Sequence, residues 1–308
     1  MSGWSTEFAL VGTGGEPVDL WRTIMSHGVV DLPPMRIDEE RRALEATLAL
    51  ARGRPRTVEI AAGRPGYGLV SARGPEPSSA EAAELLAATR HVLRLNEDLS
   101  EFYAVAAADS ALAWAATGAG RMVRSQTVFE EVVKTICTTN CAWSATVRMV
   151  GALVEHLGEL AVDAPPNGPL GRAFPTPSAM AEADETFYAE VVRAGYRGAY
   201  LRALATSVAT GELDLEELKS IELDDDAVAE RLLALPGVGP YAAAHIMMLL
   251  GRYSRLILDS WTRPKYARVN GRKASDKTIE RRFRRYKRYA GLAFWLYLTR
   301  DWVAEPAT

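Results

Sequence analysis

A lone carboxylate, Asp259, closes the apolar run "RLIL" shortly after the small-residue stretch "YAAAHIMMLLG". Held rigidly at the end of such a run, an ionised carboxylate can stabilise positive charge developing on a reacting group and orient a water against it. The same residue type is a good N-cap for a helix beginning near Thr262 to Pro264, and Asp259 taken alone favours that structural use. The second feature is "LPGVG", Leu235 to Gly239, set between two helical stretches. Gly237 and Gly239 permit backbone conformations closed to other residues, and Pro240 suits the first turn of the second helix, where its missing N–H needs no partner. A turn of this kind aims backbone N–H groups outward at a positive helix end and can hold a phosphate. Ordinary helix hairpins use glycine as well, and Ala242, Ala243 and Ala244 would let the two helices approach closely. Tyr241 and His245, four residues apart, share a helix face.

Charge distribution carries a further signal. The 308-residue chain has a net charge of −3. The stretch 261–290 holds twelve Lys/Arg, among them Arg263, Lys265, Arg268, Arg272, Lys273 and Arg288, against Asp276 and Glu280, so it carries +10 and the rest −13. Such asymmetry suits one surface for a polyanion, and equally a solvated charged helix. No apolar run approaches the ~20 residues that span a bilayer, and no secretory leader is evident at the N-terminus. The expectation is a cytosolic protein without a membrane partner. Cys137 and Cys141 fall on one helix face and are too few for a zinc or iron–sulfur site.

The elements that would carry these residues divide the chain in two. Residues 1–78 read as a small α+β unit, with strands at 5–11, 57–62 and 67–72 and a helix over "DEERRALEATLALARG" (38–53). "GPEPSS" (74–79) reads as a linker, with Ser78 or Ser79 capping the helix that follows. Residues 79–308 read as a helical domain, with the hairpin at about 228–251. Its segment 127–158 is apolar-periodic, breaks near Thr138-Thr-Asn140 and ends at Gly158; further helices are expected at 174–183, 195–215 and 224–235. The fold class is mainly α with a small antiparallel sheet domain at the N-terminus.

The turn and the carboxylate together resemble the helix-hairpin-helix superfamily of DNA glycosylases, in which Leu-Pro-Gly-Val/Ile-Gly precedes a catalytic aspartate by about two dozen residues. The likeness runs over roughly 120–302 and more faintly into the N-terminal unit, as in the 3-methyladenine glycosylase II and 8-oxoguanine glycosylase branches. It implies that Asp259 serves hydrolysis of an N-glycosidic bond, whose departing base leaves positive charge on the sugar, after the nucleotide has been drawn out of the stack. It implies DNA contacts from Leu235, Pro236, Gly237, Val238 and Gly239, and from Asn140, which matches the residue that fills the space left by the flipped base. A base pocket of Tyr241, His245, Trp143 and Trp261 follows, with Phe294 and Trp295 as further aromatic candidates that a core could equally claim. Main-chain carbonyls of Leu233, Leu235 and Val238 would hold a monovalent cation; no other cofactor is implied, and the iron–sulfur branch does not fit because both cysteines lie far upstream.

Bifunctional relatives carry a lysine where this chain has Tyr241, so the resemblance implies a monofunctional enzyme without lyase activity; Lys265 lies beyond Asp259 and does not match that position. The expected partner is double-stranded DNA containing a damaged base, bound by a monomer. The basic stretch would contact phosphates in a salt-dependent manner. An aromatic at 241 points to an alkylated purine, whereas Asn140 with "ICTTN" points to oxidised guanine. Two other readings stay open: a DNA-binding protein that has lost turnover, since Pro264 would disrupt a helix begun at Asp259 itself, and a helical scaffold for an acidic partner.

Overall fold

The computed structural model describes residues 3–303, so the outer ends of the two expected units, 1–2 and 304–308, lie outside the described residues. Five strands, β1 (Ser5–Ala9), β2 (Met35–Asp38), β3 (Ala43–Leu48), β4 (Arg56–Ala62) and β5 (Tyr67–Ala72), form one antiparallel sheet in the order β1-β5-β4-β3-β2. The helices are α1 (Leu20–Ile24), α2 (Ser79–Val92), α3 (Ser100–Ala107), α4 (Val128–Thr138), α5 (Trp143–Leu157), α6 (Pro177–Glu182), α7 (Arg197–Ala209), α8 (Asp225–Leu233), α9 (Pro240–Leu249), α10 (Thr262–Asn270), α11 (Asp276–Phe283) and α12 (Ala290–Thr299). Among the described residues no helix is long and apolar enough to cross a membrane. The mainly helical architecture with one small antiparallel sheet is the fold class that the sequence indicates.

The helix expected over 38–53 does not form. A turn in which Arg41 N–H bonds to Asp38 Oδ1 (2.9 Å) leads into β3, whose Leu44 and Ala46 pair with Ile60 and Val58. Leu44 and Leu48 would share a helix face, but with Ala46 they equally follow the two-residue period of a strand, and the ladder on both sides of β3 overrides the helix preference of Ala, Leu and Glu. Glu45, on the opposite face, is buried and paired with Arg36 and Arg73. The local signals further on do hold. Ser78 and Glu81 close a reciprocal capping box at the start of α2, and the 127–158 segment breaks between α4 and α5 and ends at Gly158.

Three apolar clusters organise the molecule. The sheet core draws Leu85, Val92, Leu93, Leu95 and Val123 onto Val58, Ile60 and Val70, so α2 and the chain after it complete the N-terminal unit. A second cluster joins α4, α5, α7, α8 and one side of α9, through Ala242, Ala243, Ile246 and Met247. The third joins α3, α10, α11 and α12 to the other side of α9, through Ala244, Met248 and Leu249. A helix packed on all sides must be apolar all round, which explains "PYAAAHIMML" better than a hairpin lying on the surface would.

Buried polar bonds tie the sheet unit to the helices. Arg121, fully buried, pairs with Glu16 and donates from Nη1 to Glu97 O at 2.9 Å, while Glu16 Oε1 accepts from Leu99 N–H at 2.8 Å. Arg94 donates to the Leu249 carbonyl at the end of α9. Removing one partner of a buried pair strands the other charge. Arg121→Ala is therefore expected to lower unfolding free energy by about 3–5 kcal/mol, read as a lower urea midpoint; a midpoint within error of wild type would refute the pairing.

Candidate functional site

The hairpin forms because α8 runs out of helix-compatible sequence. Leu235 N–H bonds to Leu232 O (3.1 Å) and Val238 N–H to Leu235 O (3.2 Å), with Gly237 at φ +80° between them. A Cβ at Gly237 would meet Tyr200 Cδ2 at 2.8 Å, so both conformation and space demand glycine. Val238 anchors the turn in the core beneath, while Pro236 and Gly239 are exposed, and a Cβ at Gly239 would touch nothing within 4 Å. Gly239 is the N-cap of α9 and Pro240 its first residue, so the first-turn N–H groups lack intrahelical partners next to the exposed Gly239. The carbonyls of Leu233, the last residue of α8, and of Leu235 and Val238 in the turn are neutral oxygens of the type a hard monovalent ion takes. Among the described residues no group of three or more His, Cys, Asp or Glu gathers as metal donors.

Asp259 is half-buried and does the structural task open to it in the sequence. Its Oδ1 accepts from the N–H groups of Trp261 (2.9 Å) and Thr262 (2.6 Å), and Thr262 Oγ1 accepts from Asp259 N–H (2.8 Å). This reciprocal cap opens the turn into α10. Arg263 N–H reaches Asp259 O at 3.3 Å and Lys265 N–H reaches Trp261 O at 3.1 Å, so the rung missing at Pro264 falls in the first turn, where it costs little. The carboxylate is thus aimed by backbone hydrogen bonds. It is also close enough to Tyr241 and His245 to act on both electrostatically.

Tyr241 and His245 stand 6.0 Å apart, centroid to centroid, and the Tyr241 hydroxyl lies 3.4 Å from Thr138 Oγ1. Burial pushes the His245 imidazole down to about 4, against the pull of Asp259. Behind it lies a residue that the sequence did not single out: His27, from the sheet unit, T-shaped to His245 at 6.1 Å and driven down to about 3 by burial and by His245. Trp143, half-exposed, covers Gly28, where an added Cβ would lie 3.9 Å from its ring. Trp261 joins Trp295 and Trp302 at 5.6 Å each. Phe294 and Trp295 belong to the core, and the Trp295 indole N–H donates to Ser26 O (2.8 Å). These two aromatics take the core role, not the pocket wall.

Asn140 sits at the exposed tip of the α4–α5 turn with φ +48°, a left-handed position that asparagine tolerates. Its Nδ2 lies 3.5 Å from the hydroxyl of exposed Tyr196, which packs on Tyr200 beside Gly237. Arg197 donates to the Thr139 carbonyl and pins this tip. The Asn140 tip and the hairpin therefore border one surface. Tyr196 and Tyr200 had only the "GYRGAY" spacing to betray them.

Much of the positive charge in 263–288 is spent internally. Arg263 pairs with Asp276, Lys265 with Asp301, Arg285 with Asp109 and Arg288 with Glu101. Arg282 donates to Tyr266 OH (3.0 Å) and Asn270 Oδ1 (2.6 Å) and lies over Tyr297 at 4.4 Å. Arg272, Lys273 and Arg281 line an open cleft of about 830 Å³, and Lys277, Arg284 and Lys287 are exposed.

Comparison with known proteins finds no matching family model and no matching curated sequence. Solved structures do match over nearly the whole chain. The 8-oxoguanine glycosylase/lyase of Clostridium acetobutylicum is 21% identical, with 97% of this chain and 96% of that one covered and a TM-score of 0.72. The 3-methyladenine DNA glycosylase of Archaeoglobus fulgidus is 20% identical, with 97% and 99% covered and a TM-score of 0.71. MBOgg1, in complex with a low-affinity DNA ligand, is 18% identical, with 98% and 97% covered and a TM-score of 0.73. The chain has the helix-hairpin-helix glycosylase fold that these structures share.

Two outcomes test this geometry. Asp259→Asn keeps an oxygen for the cap and should change stability by less than about 1 kcal/mol, whereas Asp259→Ala should cost about 1 kcal/mol or more; equal losses in thermal unfolding would argue against the cap. His27, His91 and His245 are each pushed by burial below their usual value near 6.5, so below pH 6.5 the unfolded chain takes up protons that the fold excludes. Stability should fall as pH drops from 6.5 toward 4. Glu131, raised by burial to about 7, works the other way: it contributes stability at low pH that is lost as pH rises from 4.5 to 7. Three imidazoles outweigh it, and His245→Leu should flatten the slope by about 1 kcal/mol per pH unit. An unchanged slope would contradict the burial of an uncharged His245.

Proposed function

We propose that this protein is a monofunctional DNA glycosylase that hydrolyses the N-glycosidic bond of a flipped, damaged base, with an alkylated purine as its substrate and Asp259 as its catalytic carboxylate. The observation that carries the proposal is the placement of Asp259: a carboxylate aimed by two backbone N–H groups, within electrostatic reach of Tyr241 and His245, in a chain with the fold of DNA glycosylases. Both capping bonds fall on Oδ1, and the proposal assigns Oδ2 to the sugar. As the bond between the anomeric carbon and the base nitrogen breaks, the base leaves with the electron pair, and the fixed negative charge stabilises the cationic sugar. Water then adds to that carbon and releases a proton toward the carboxylate.

Around this centre, the hairpin from Leu235 to Gly239 would hold a backbone phosphate on its N–H groups, and Asn140 would occupy the space vacated by the base. Trp143, Tyr241, His245 and Trp261 would border the base, with the phenol ring stacking on an electron-poor alkylated purine. The exposed cations of 272–287 would add salt-dependent, sequence-independent affinity for double-stranded DNA, and a monovalent ion on the hairpin carbonyls would support the same phosphate contact. Tyr241 in place of the attacking lysine of bifunctional relatives supports hydrolysis without strand cleavage, since a phenol cannot form an imine.

A second reading has an observation of its own: the capping bonds of Asp259 also suit a DNA-binding protein without turnover. Single-turnover assays on duplexes carrying 3-methyladenine, 7-methylguanine, hypoxanthine or 8-oxoguanine separate the two. Excision of an alkylated purine is expected, with nicks only after alkali, no adduct trapped by borohydride, and a loss of about 10²-fold or more in Asp259→Asn. Duplex binding without excision would replace the enzyme with the binder, excision of 8-oxoguanine alone would change the substrate, and nicks without alkali would overturn the monofunctional assignment.

A further inference from the structure

Two imidazoles meet at the back of the site, one from each half of the molecule. His27 is 3% exposed and its Nε2 lies 2.7 Å from the Val123 carbonyl oxygen. A carbonyl only accepts, so Nε2 carries the ring proton, and Nδ1 of the neutral ring is left as an acceptor. Nδ1 is buried and has no partner. His245 is 5% exposed, and its Nε2 is likewise buried and unpartnered. The preceding residue, Ser26, is held twice, by the Trp295 indole on its carbonyl oxygen (2.8 Å) and by Val123 N–H on its Oγ (3.0 Å), and with the ring's own bond to Val123 this fixes the imidazole where it stands. Buried polar atoms are nearly always satisfied in native folds. Among the buried side-chain atoms left without a partner in the described residues, these two lie on adjoining rings 6.1 Å apart, next to Tyr241 and within electrostatic reach of Asp259, where an entering base would meet unspent hydrogen-bonding capacity.

We propose that His27 is a specificity-determining residue, whose Nδ1 accepts a hydrogen bond from an N–H group on the edge of the expelled base, with His245 completing the same polar wall. The inference rests on the glycosylase reading and narrows its substrate to purines that bring an N–H donor, an exocyclic amine or a protonated ring nitrogen, to that wall. A purine without such a donor gains no bond at Nδ1 and is held less well than one that supplies it, so discrimination comes from the hydrogen bond that only a donor-bearing base forms. The selection is thus made by the sheet unit, which reaches the pocket through Ser26, His27 and Gly28.

The test compares wild type, His27→Leu and His27→Asn in single-turnover excision of 3-methyladenine, hypoxanthine and 8-oxoguanine, which carry N–H donors, and of 1,N6-ethenoadenine, which carries none. Affinity for a duplex containing a tetrahydrofuran abasic analogue, which offers no base, is measured alongside. Wild type is expected to favour its donor-bearing purine over ethenoadenine. His27→Leu should slow that excision about 10- to 100-fold, leave ethenoadenine and abasic-duplex affinity unchanged, and be partly rescued by His27→Asn, whose side-chain oxygen can stand near Nδ1. Equal slowing of all bases, or a parallel loss of abasic-duplex affinity, would reduce His27 to a structural residue and overturn the inference while leaving the glycosylase reading intact. Absence of excision of any base by wild type would instead sink that reading, and this inference with it.

Discussion

The structure depends on one packing constraint: α9 is buried between two apolar clusters and serves as a wall for both. Ala242, Ala243, Ile246 and Met247 face one cluster, and Ala244, Met248 and Leu249 face the other. Small side chains at its start allow close approach of neighbouring helices, and larger ones toward its end fill the wider gap. A helix held so tightly is a rigid mount. The hairpin projects from its N-terminal end, the Arg94 guanidinium grips its C-terminal carbonyl, and its two polar rings, Tyr241 and His245, are presented together.

In the function proposed above, Asp259 combines a structural and a chemical use. An aspartate at a helix start gains two backbone donors, which fix its rotamer. Those same bonds are what a charge-stabilising carboxylate requires, because a group already oriented pays no reorganisation when charge develops beside it. Capping and catalysis are therefore compatible uses of two different oxygens.

The basic segment makes a similar point about charge. Its excess of +10 in the sequence overstates the unpaired charge, since Arg263, Lys265, Arg285 and Arg288 meet carboxylates and Arg282 lies over an aromatic ring. Arg272, Lys273, Lys277, Arg281, Arg284 and Lys287 are exposed outside those pairs. The acidic partners at 101, 109 and 301 come from outside the stretch, so the neutralisation is invisible in a local count.

Features whose physics is local were legible in the sequence. The glycines of the hairpin, Pro240 at the first turn, Ser78 with Glu81, the break near Asn140 and the cap at Asp259 depend on residues a few positions apart, and the structure has each of them. The spacing of turn and aspartate also pointed to the fold. Tertiary structure decided the rest, because the deciding partners are far apart in the chain. "ALEATL" became a strand only because β2 and β4 were there to pair with it. Trp295 and Phe294 became core through the packing of α12, and Lys265 was claimed by Asp301. His27 came to lie against His245 because Val123, Ser26 and Trp295 hold it at a helix more than two hundred residues away; an isolated histidine in the N-terminal unit carries no trace of that contact, which exists only once both halves have folded.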